Sequence, residues 1–369
     1  MSKIGIVTWH YNPNYGGLLQ AYALQEIIKK LGYNPEFVNY RTDINTLKKR
    51  TIRKLKDIYI MFFYPEIHTG RKLKYKFVEE KLNVGKLYYS YDDLSNEADE
   101  VYDVGICGSD QIWSNNTGLV NPLYYLTFID ERKRISYAPS IGYNKISEDI
   151  REEFKECVDK IRYLSVREEK GAEIIKSITG RDAEVVLDPS LLISKEEWLK
   201  EIKTKHRVSP NGKFILLYIL GDNNEHVEYA KKLSKYTGYG IIALETKNSK
   251  LKGLKTFSGG PFDFIELINN ASYVLTDSFH GVVFSINLEK QFVAFKRFKD
   301  NESISQNSRI YNILNKTNLK DRLISTDRAV SFLENNIIDY NIVRPLLEAE
   351  IKISTDFLLK SIESVINGR

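Results

Sequence analysis

Short apolar runs alternate with amphipathic stretches along most of the 369-residue chain, the pattern of repeated strand–helix units. In the first half these runs predict strands at Ile4–Thr8, Glu36–Tyr40, Tyr102–Cys107, Arg134–Ala138, Tyr163–Val166 and Glu184–Leu187. The second half repeats the scheme at Phe214–Leu220, Gly240–Leu244, Tyr273–Thr276 and Phe292–Phe295. Between strands the period lengthens: Leu18, Leu19, Tyr22, Ile27, Ile28 and Leu31 recur at helical spacing, and Gly32 offers a C-terminal cap. Ser258-Gly259-Gly260-Pro261 predicts another helix start, with Pro261 suited to its first turn. Ser209-Pro210-Asn211-Gly212 marks a turn before the long Phe214 strand, so a break between halves is expected near residues 194–212. A long final helix is expected over Ile342–Ile366, with Ile351, Ile353, Phe357, Leu358, Ile362 and Val365 available for burial.

These elements predict an α/β fold of two Rossmann-like, doubly wound domains facing a cleft. Residues 1–195 would form the first domain, 196–340 the second, and 341–369 a helix packing on them. The length supports two domains. Hydrophobic content of 42% and charged content of 28% are those of a folded globular chain, which excludes disorder and a coiled coil. Met1-Ser2-Lys3 leads directly into Ile4-Gly5-Ile6-Val7 with no signal-peptide pattern, and no apolar run reaches about 18 residues, so a cytoplasmic location is expected. Cys107 and Cys157 are too few for a disulfide framework or a cysteine metal cluster; both are expected to act as small buried hydrophobes.

Net charge is only +5, but it is unevenly spread. Residues 41–81 carry twelve Lys and Arg against five acids, a net +7 that leaves −2 for the remainder. No nucleic-acid partner is expected from so local a charge. Two readings of this basic, aromatic-bearing insertion stand side by side: a peripheral contact with the inner face of the membrane or with an anionic substrate, and a solvated helical insertion.

In doubly wound folds ligands sit at the carboxyl ends of strands, so the loops that follow strands hold the candidate chemistry. After the first strand, Asn14-Tyr15-Gly16-Gly17 opens a helix whose amides suit an anion, although a tight turn explains the same residues. Gly108-Ser109-Asp110-Gln111-Ile112-Trp113 offers Asp110 as acceptor of a proton from a sugar hydroxyl and Trp113 as an apolar face for a sugar ring; Asp110 equally fits a helix cap. Arg167 follows Leu164-Ser165-Val166 and can hold a carboxylate or phosphate, or pair structurally with Glu168 or Glu169. Asp188, restrained to extended backbone by Pro189, is expected to position the interdomain loop. The strongest local signal is Thr276-Asp277-Ser278-Phe279-His280-Gly281, a strand-to-helix turn that sets His280 beside helix amides in the expected cleft. The chain has no G-x-x-x-x-G-K-[ST] loop, no H-E-x-x-H and no G-x-S-x-G elbow, which removes the commonest ATPase, zinc-protease and serine-hydrolase readings.

Taken in order, these segments, with Leu19-Gln20-Ala21-Tyr22-Ala23-Leu24, Asp188-Pro189-Ser190 and Asn307-Ser308-Arg309-Ile310, resemble the polysaccharide pyruvyl transferase family over residues 4 to about 315. The resemblance implies a GT-B-like fold and transfer of pyruvate from phosphoenolpyruvate, a donor substrate, to a saccharide acceptor, lipid-linked or free, with no resident cofactor or metal. It implies that Arg167 and His280 bind the donor. On this basis we expect Arg167, His280 and Asp110 to be catalytic. Asn14, Tyr15, Gly16, Gly17, Ser109, Gln111, Trp113, Asp277, Ser278, Gly281 and Arg309 are the expected substrate contacts. The acceptor side is assigned to the first domain and the anionic donor to the second. Two other readings compete: a GT-B glycosyltransferase with a nucleotide-sugar donor, and a catalytically silent saccharide-binding protein. Acceptor identity and oligomeric state are not encoded in these motifs.

Overall fold

A computed structural model describes residues 1–11, 14–41, 59–114, 118–202, 212–245, 251, 253–300, 302 and 305–368. Two parallel sheets organise it. The first contains β1 (Lys3–Val7), β2 (Asn34–Tyr40), β3 (Val84–Tyr88), β4 (Val104–Cys107) and β5 (Arg134–Ser136) in the order β3-β2-β1-β4-β5. A separate pair, β6 (Ser165–Val166) and β7 (Glu184–Val185), lies beside it. The second sheet runs β10-β9-β8-β11-β12-β13, built from β8 (Phe214–Tyr218), β9 (Gly240–Leu244), β10 (Thr256–Phe257), β11 (Tyr273–Thr276), β12 (Phe292–Phe295) and β13 (Leu323–Ile324). Central strands such as Phe-Ile-Leu-Leu-Tyr in β8 are buried along their whole length, as strands covered on both faces must be.

In each sheet the chain moves outward from one strand and then returns to its other side. The reversal falls between β1 and β4 in the first sheet and between β8 and β11 in the second. At such a point the loops after neighbouring strands diverge and open a crevice.

Helix α1 (Tyr15–Lys30) departs from a one-sided amphipathic pattern, being buried continuously from Tyr15 to Gln25. Its second face is covered by the other half of the molecule: Tyr15 stacks on Phe264 at 5.1 Å, and Tyr22 meets Trp198 and Phe262 at 5.8 Å. The helices between are α2 (Pro65–Lys81), α3 (Tyr91–Val101), α4 (Arg151–Asp159), α5 (Glu169–Thr179), α6 (Lys195–Glu201) and α7 (Asn224–Thr237), with α8 spanning Pro261–Asn270. One apolar cluster therefore runs through both halves.

Within the 41–81 insertion, helix α2 is solvated on one face only. Its Gly70, Lys74, Phe77 and Val78 are buried, Phe77 packs on Phe262 at 5.1 Å, and Lys81 pairs with Glu201 at 2.6 Å. Residues 42–58 of that insertion, and the Ser209–Asn211 part of the expected turn, lie outside the described residues.

Beyond α8 come α9 (Phe279–Asn287), α10 (Ser308–Lys316), the short α11 (Phe332–Asn335) and α12 (Tyr340–Asn367). The last returns to the first half, where Ser354 Oγ accepts a hydrogen bond from the Leu187 amide at 2.9 Å. Leu358, Ile362 and Val365 are buried as expected, whereas Ile353 is exposed. Cys107 and Cys157 are both buried free thiols. Among the described residues no helix is long and apolar enough to cross a membrane.

Candidate active site between the two switch points

The two chain reversals face each other across the start of α1. Asn14 caps that helix, its Oδ1 accepting from the Gly16 amide at 3.2 Å. A Cβ at Gly16 would overlap the imidazole of His280, and one at Gly17 would lie 3.4 Å from Asp110 Oδ2. The paired glycines thus let one side chain from each half close on the helix start.

Asp188 is the centre on which these elements converge. Its Oδ2 lies 2.8 Å from Arg167 Nη1, 3.1 Å from Ser109 Oγ and 3.7 Å from His280 Nε2, while Oδ1 accepts from the Ser190 amide at 3.0 Å. Burial opposes ionisation of this carboxyl, but the contact with His280, then the Arg167 charge and the Ser190 amide, prevail and hold it below the ordinary carboxylate range. Arg167 also lies 3.7 Å from Asp110 Oδ1 and 3.9 Å from Glu168 Oε2, and its guanidinium carbon stands 4.2 Å from the centroid of Phe279. Of the alternatives for Arg167, the direct ion pair is therefore with Asp188. Its Nε and Nη2, and Nε2 of His280, are buried without a hydrogen-bond partner among the described residues.

Two more guanidinium groups complete the cluster. Arg309, near the start of α10, is buried and stands 5.8 Å from the Phe279 centroid, with Nη2 donating to Gln306 Oε1 at 2.8 Å. Burial, then repulsion from Arg167 and Arg297, lowers it to about 9, against the pull of Glu168 and Asp110. Arg297, just past β12, donates to the Asp277 carbonyl at 2.9 Å. Ser278 holds the N-cap position of α9, yet its side chain makes no capping hydrogen bond. Arg167, Arg309 and Arg297 thus gather near the start of a helix, with Asp188, Asp110, Glu168 and Asp277 among them, and guanidinium groups beside free helix amides can hold an anion.

Several expected contacts have other work. Asp277 accepts from the Leu220 and Gly221 amides at 2.7 and 2.8 Å, so both its oxygens tie β11 to the loop after β8, with Arg297 Nη2 3.6 Å from Oδ1. Trp113 is 2% exposed, stacks on Tyr125 at 5.1 Å and donates Nε1 to the Tyr124 carbonyl, which makes it a core side chain and removes it as a sugar platform. Tyr15 accepts from the Gly259 amide at 3.1 Å and joins the halves. Gly281 is required because a Cβ there would strike Thr276. Ser109 spans Ala138 and Asp188, and Gln111 lies against Gly142. Asp110 caps no helix: it sits at φ +67°, its carbonyl accepting from Ser140 at 2.7 Å. Asp188, expected to position a loop, is instead the centre of the cluster, and Arg297 was not among the expected residues; each lies within three residues of a strand end, the signal in the sequence that could have marked it.

The fold is that of GT-B glycosyltransferases and related epimerases. The UDP-N-acetylglucosamine 2-epimerase of Rickettsia bellii superposes with a TM-score of 0.55 at 12% identity, covering 100% of this chain and 97% of that one. The Neisseria meningitidis UDP-GlcNAc 2-epimerase bound to UDP-GlcNAc gives 0.53 at 11%, covering 98% and 100%. The Arabidopsis thaliana enzyme UGT89C1 complexed with UDP-L-rhamnose gives 0.51 at 10%, covering 98% of each. No curated protein sequence matches the chain. The sequence model of polysaccharide pyruvyl transferases matches residues 14–297, and the chain belongs to that family of transferases.

Proposed function

We propose that this protein transfers pyruvate from phosphoenolpyruvate to a saccharide, forming a ketal in the biosynthesis of a surface polysaccharide. The observation that carries this reading is the buried set of Arg167, Asp188 and His280 at the start of α9, flanked by Arg309 and Arg297. Phosphoenolpyruvate carries a carboxylate and a phosphate on one small frame and needs more than one cationic clamp. Planar guanidinium groups suit both.

In the proposed reaction a proton goes to the methylene carbon of the donor, C2 becomes cationic, and one sugar hydroxyl attacks it. Phosphate then leaves, its C–O bond broken, and a second hydroxyl closes the ketal. Arg167 and Arg309 hold the two anionic ends. His280, kept in place by Asp188 and the Gly16 surface, binds phosphate and supplies the proton. Asp110, beside Gly17 and Arg167, takes the acceptor's proton. No resident cofactor enters this scheme, and the donor assigns the reaction to the cytoplasm.

His280→Ala should lower phosphoenolpyruvate-dependent phosphate release by at least ~10²-fold. Gly16→Ala should produce a comparable fall by displacing the same ring, since a shift of about 1 Å can cost that much. Near-normal turnover in His280→Ala discards it as the acid. Thermal-shift measurements test the donor separately: phosphoenolpyruvate at ~100 times its dissociation constant adds about 2.7 kcal/mol of stability. A response to UDP- or GDP-sugars without one to phosphoenolpyruvate overturns the reading.

A further inference from the structure

Helix α2 presents two unlike faces. The inner face is committed to the protein through Gly70 against Ser258, Lys74 over the Tyr15 ring at 3.8 Å, and Phe77 on Phe262. The outer face and the residues just before it carry Tyr59, Met61, Phe62, Phe63, Tyr64 and Tyr75 in the open, at 52, 42, 71, 68, 49 and 44% exposure. Residues 59–63 are helical, and Tyr59 touches Phe63 and Tyr64 at centroid distances of 4.7 and 6.1 Å, so the rings cluster with one another outside the core. Exposed apolar residues scattered singly are ordinary, whereas a contiguous aromatic patch marks a surface that is covered in use.

The surroundings of the patch say by what. Beside it on α2 lies a groove of about 520 Å³ lined by His68, Arg71, Lys72, Tyr75, Lys76, Glu79 and Glu80. Residues 41–58, immediately upstream, contain seven Lys and Arg against two acids. Aromatic rings favour the headgroup level of a bilayer, and clustered cations are drawn to anionic lipid within a Debye length. We propose that this face docks the protein on an anionic bilayer surface, with Phe62 and Phe63 entering the interface and Lys72 and Lys76 lying over the headgroups. Among the described residues no helix could span the bilayer, so the contact is one at its surface. Because the inner face of α2 meets Tyr15, one residue from Gly16, docking also holds the cleft close to the lipid. A saccharide carried on a lipid is then the fitting acceptor class, and that last point rests on the proposed reaction.

The test is co-sedimentation of the full chain with vesicles of phosphatidylcholine alone or mixed with phosphatidylglycerol. The wild type should pellet with the anionic vesicles only and be released by high salt. Phe62→Ser/Phe63→Ser and Lys72→Glu/Lys76→Glu should each lower the partition coefficient at least ~10-fold with an unchanged thermal midpoint. Should the aromatic variant lose stability, the charge variant decides, being confined to exposed side chains. The proposal is overturned by wild type remaining in the supernatant with anionic vesicles, by either stable variant binding undiminished, or by a dimer in sedimentation velocity that Phe62→Ser/Phe63→Ser dissolves while vesicle binding stays absent. Phosphate release from phosphoenolpyruvate with a soluble sugar is read independently, so failure of docking and failure of the reaction are distinguishable.

Discussion

Replacing Asp188 with asparagine removes one negative charge from beside Arg167 and His280. Asp188 and Arg167 are 1% and 2% exposed and 2.8 Å apart, so the guanidinium would be left without its direct counter-ion and out of reach of water. Breaking a buried pair from one side costs roughly 3–5 kcal/mol. The lower end, about 3 kcal/mol, is expected because Asp110 and Glu168 remain at 3.7 and 3.9 Å and keep part of the attraction. The loss is a large share of the ~5–15 kcal/mol that holds a typical fold, yet leaves the protein folded. Urea unfolding at neutral pH measures it. The folded carboxyl titrates below its unfolded value of about 3.9, so its contribution is complete above that value and disappears as pH falls from there through the folded pKa. Wild type and Asp188→Asn should therefore converge in acid. Inorganic phosphate should stabilise the variant more than the wild type, because the anion meets one carboxylate fewer. A neutral-pH difference under ~1 kcal/mol would refute the assignment of Asp188 as the site's counter-ion, as would a gap that persists undiminished in acid.

Lys74 tests how α2 is seated. Burial, reinforced by Arg71 and opposed by Glu245, lowers its ammonium to about 8. Between that value and the unfolded ~10.4 the unfolded chain binds the extra proton, so stability contributed by this residue rises with pH, and Lys74→Met should flatten the slope of urea midpoint against pH there. An unaltered slope means that the amine is solvated. Trp113→Ala should cost about 3–5 kcal/mol in urea unfolding, the loss expected for a buried tryptophan. A change within ~0.5 kcal/mol would instead restore Trp113 as a surface available to sugar.

Strands with continuous apolar runs were legible in the sequence: Gly240–Leu244, Tyr273–Thr276 and Phe292–Phe295 have the expected bounds. Those that escaped, β3, β10 and β13, sit at sheet edges. β3 is interrupted by Gly85 and Lys86, and the other two are two residues long. Such segments lack the run of buried side chains on which periodicity depends. Trp113 misled for a related reason, since an aromatic residue after a strand looks the same whether it faces solvent or the next helix.

By itself the sequence determined the α/β class, the order of strands and helices, and the loops in which chemistry is possible, because each follows from local periodicity and turn-forming residues. It also placed His280, Arg167 and Asp110 on such loops. Only the tertiary structure decided which charges meet. Arg167, Asp188 and His280 are separated by 21 and 92 positions along the chain, and their approach depends on two sheets reversing at facing edges. The two glycines at the start of α1 must also leave room for side chains from opposite halves. Asp277 and Asp188 look alike in sequence, each an aspartate after a strand. Both oxygens of Asp277 accept from backbone amides, whereas Asp188 takes one amide and turns its other oxygen to Arg167, a neighbour brought there by the tertiary fold.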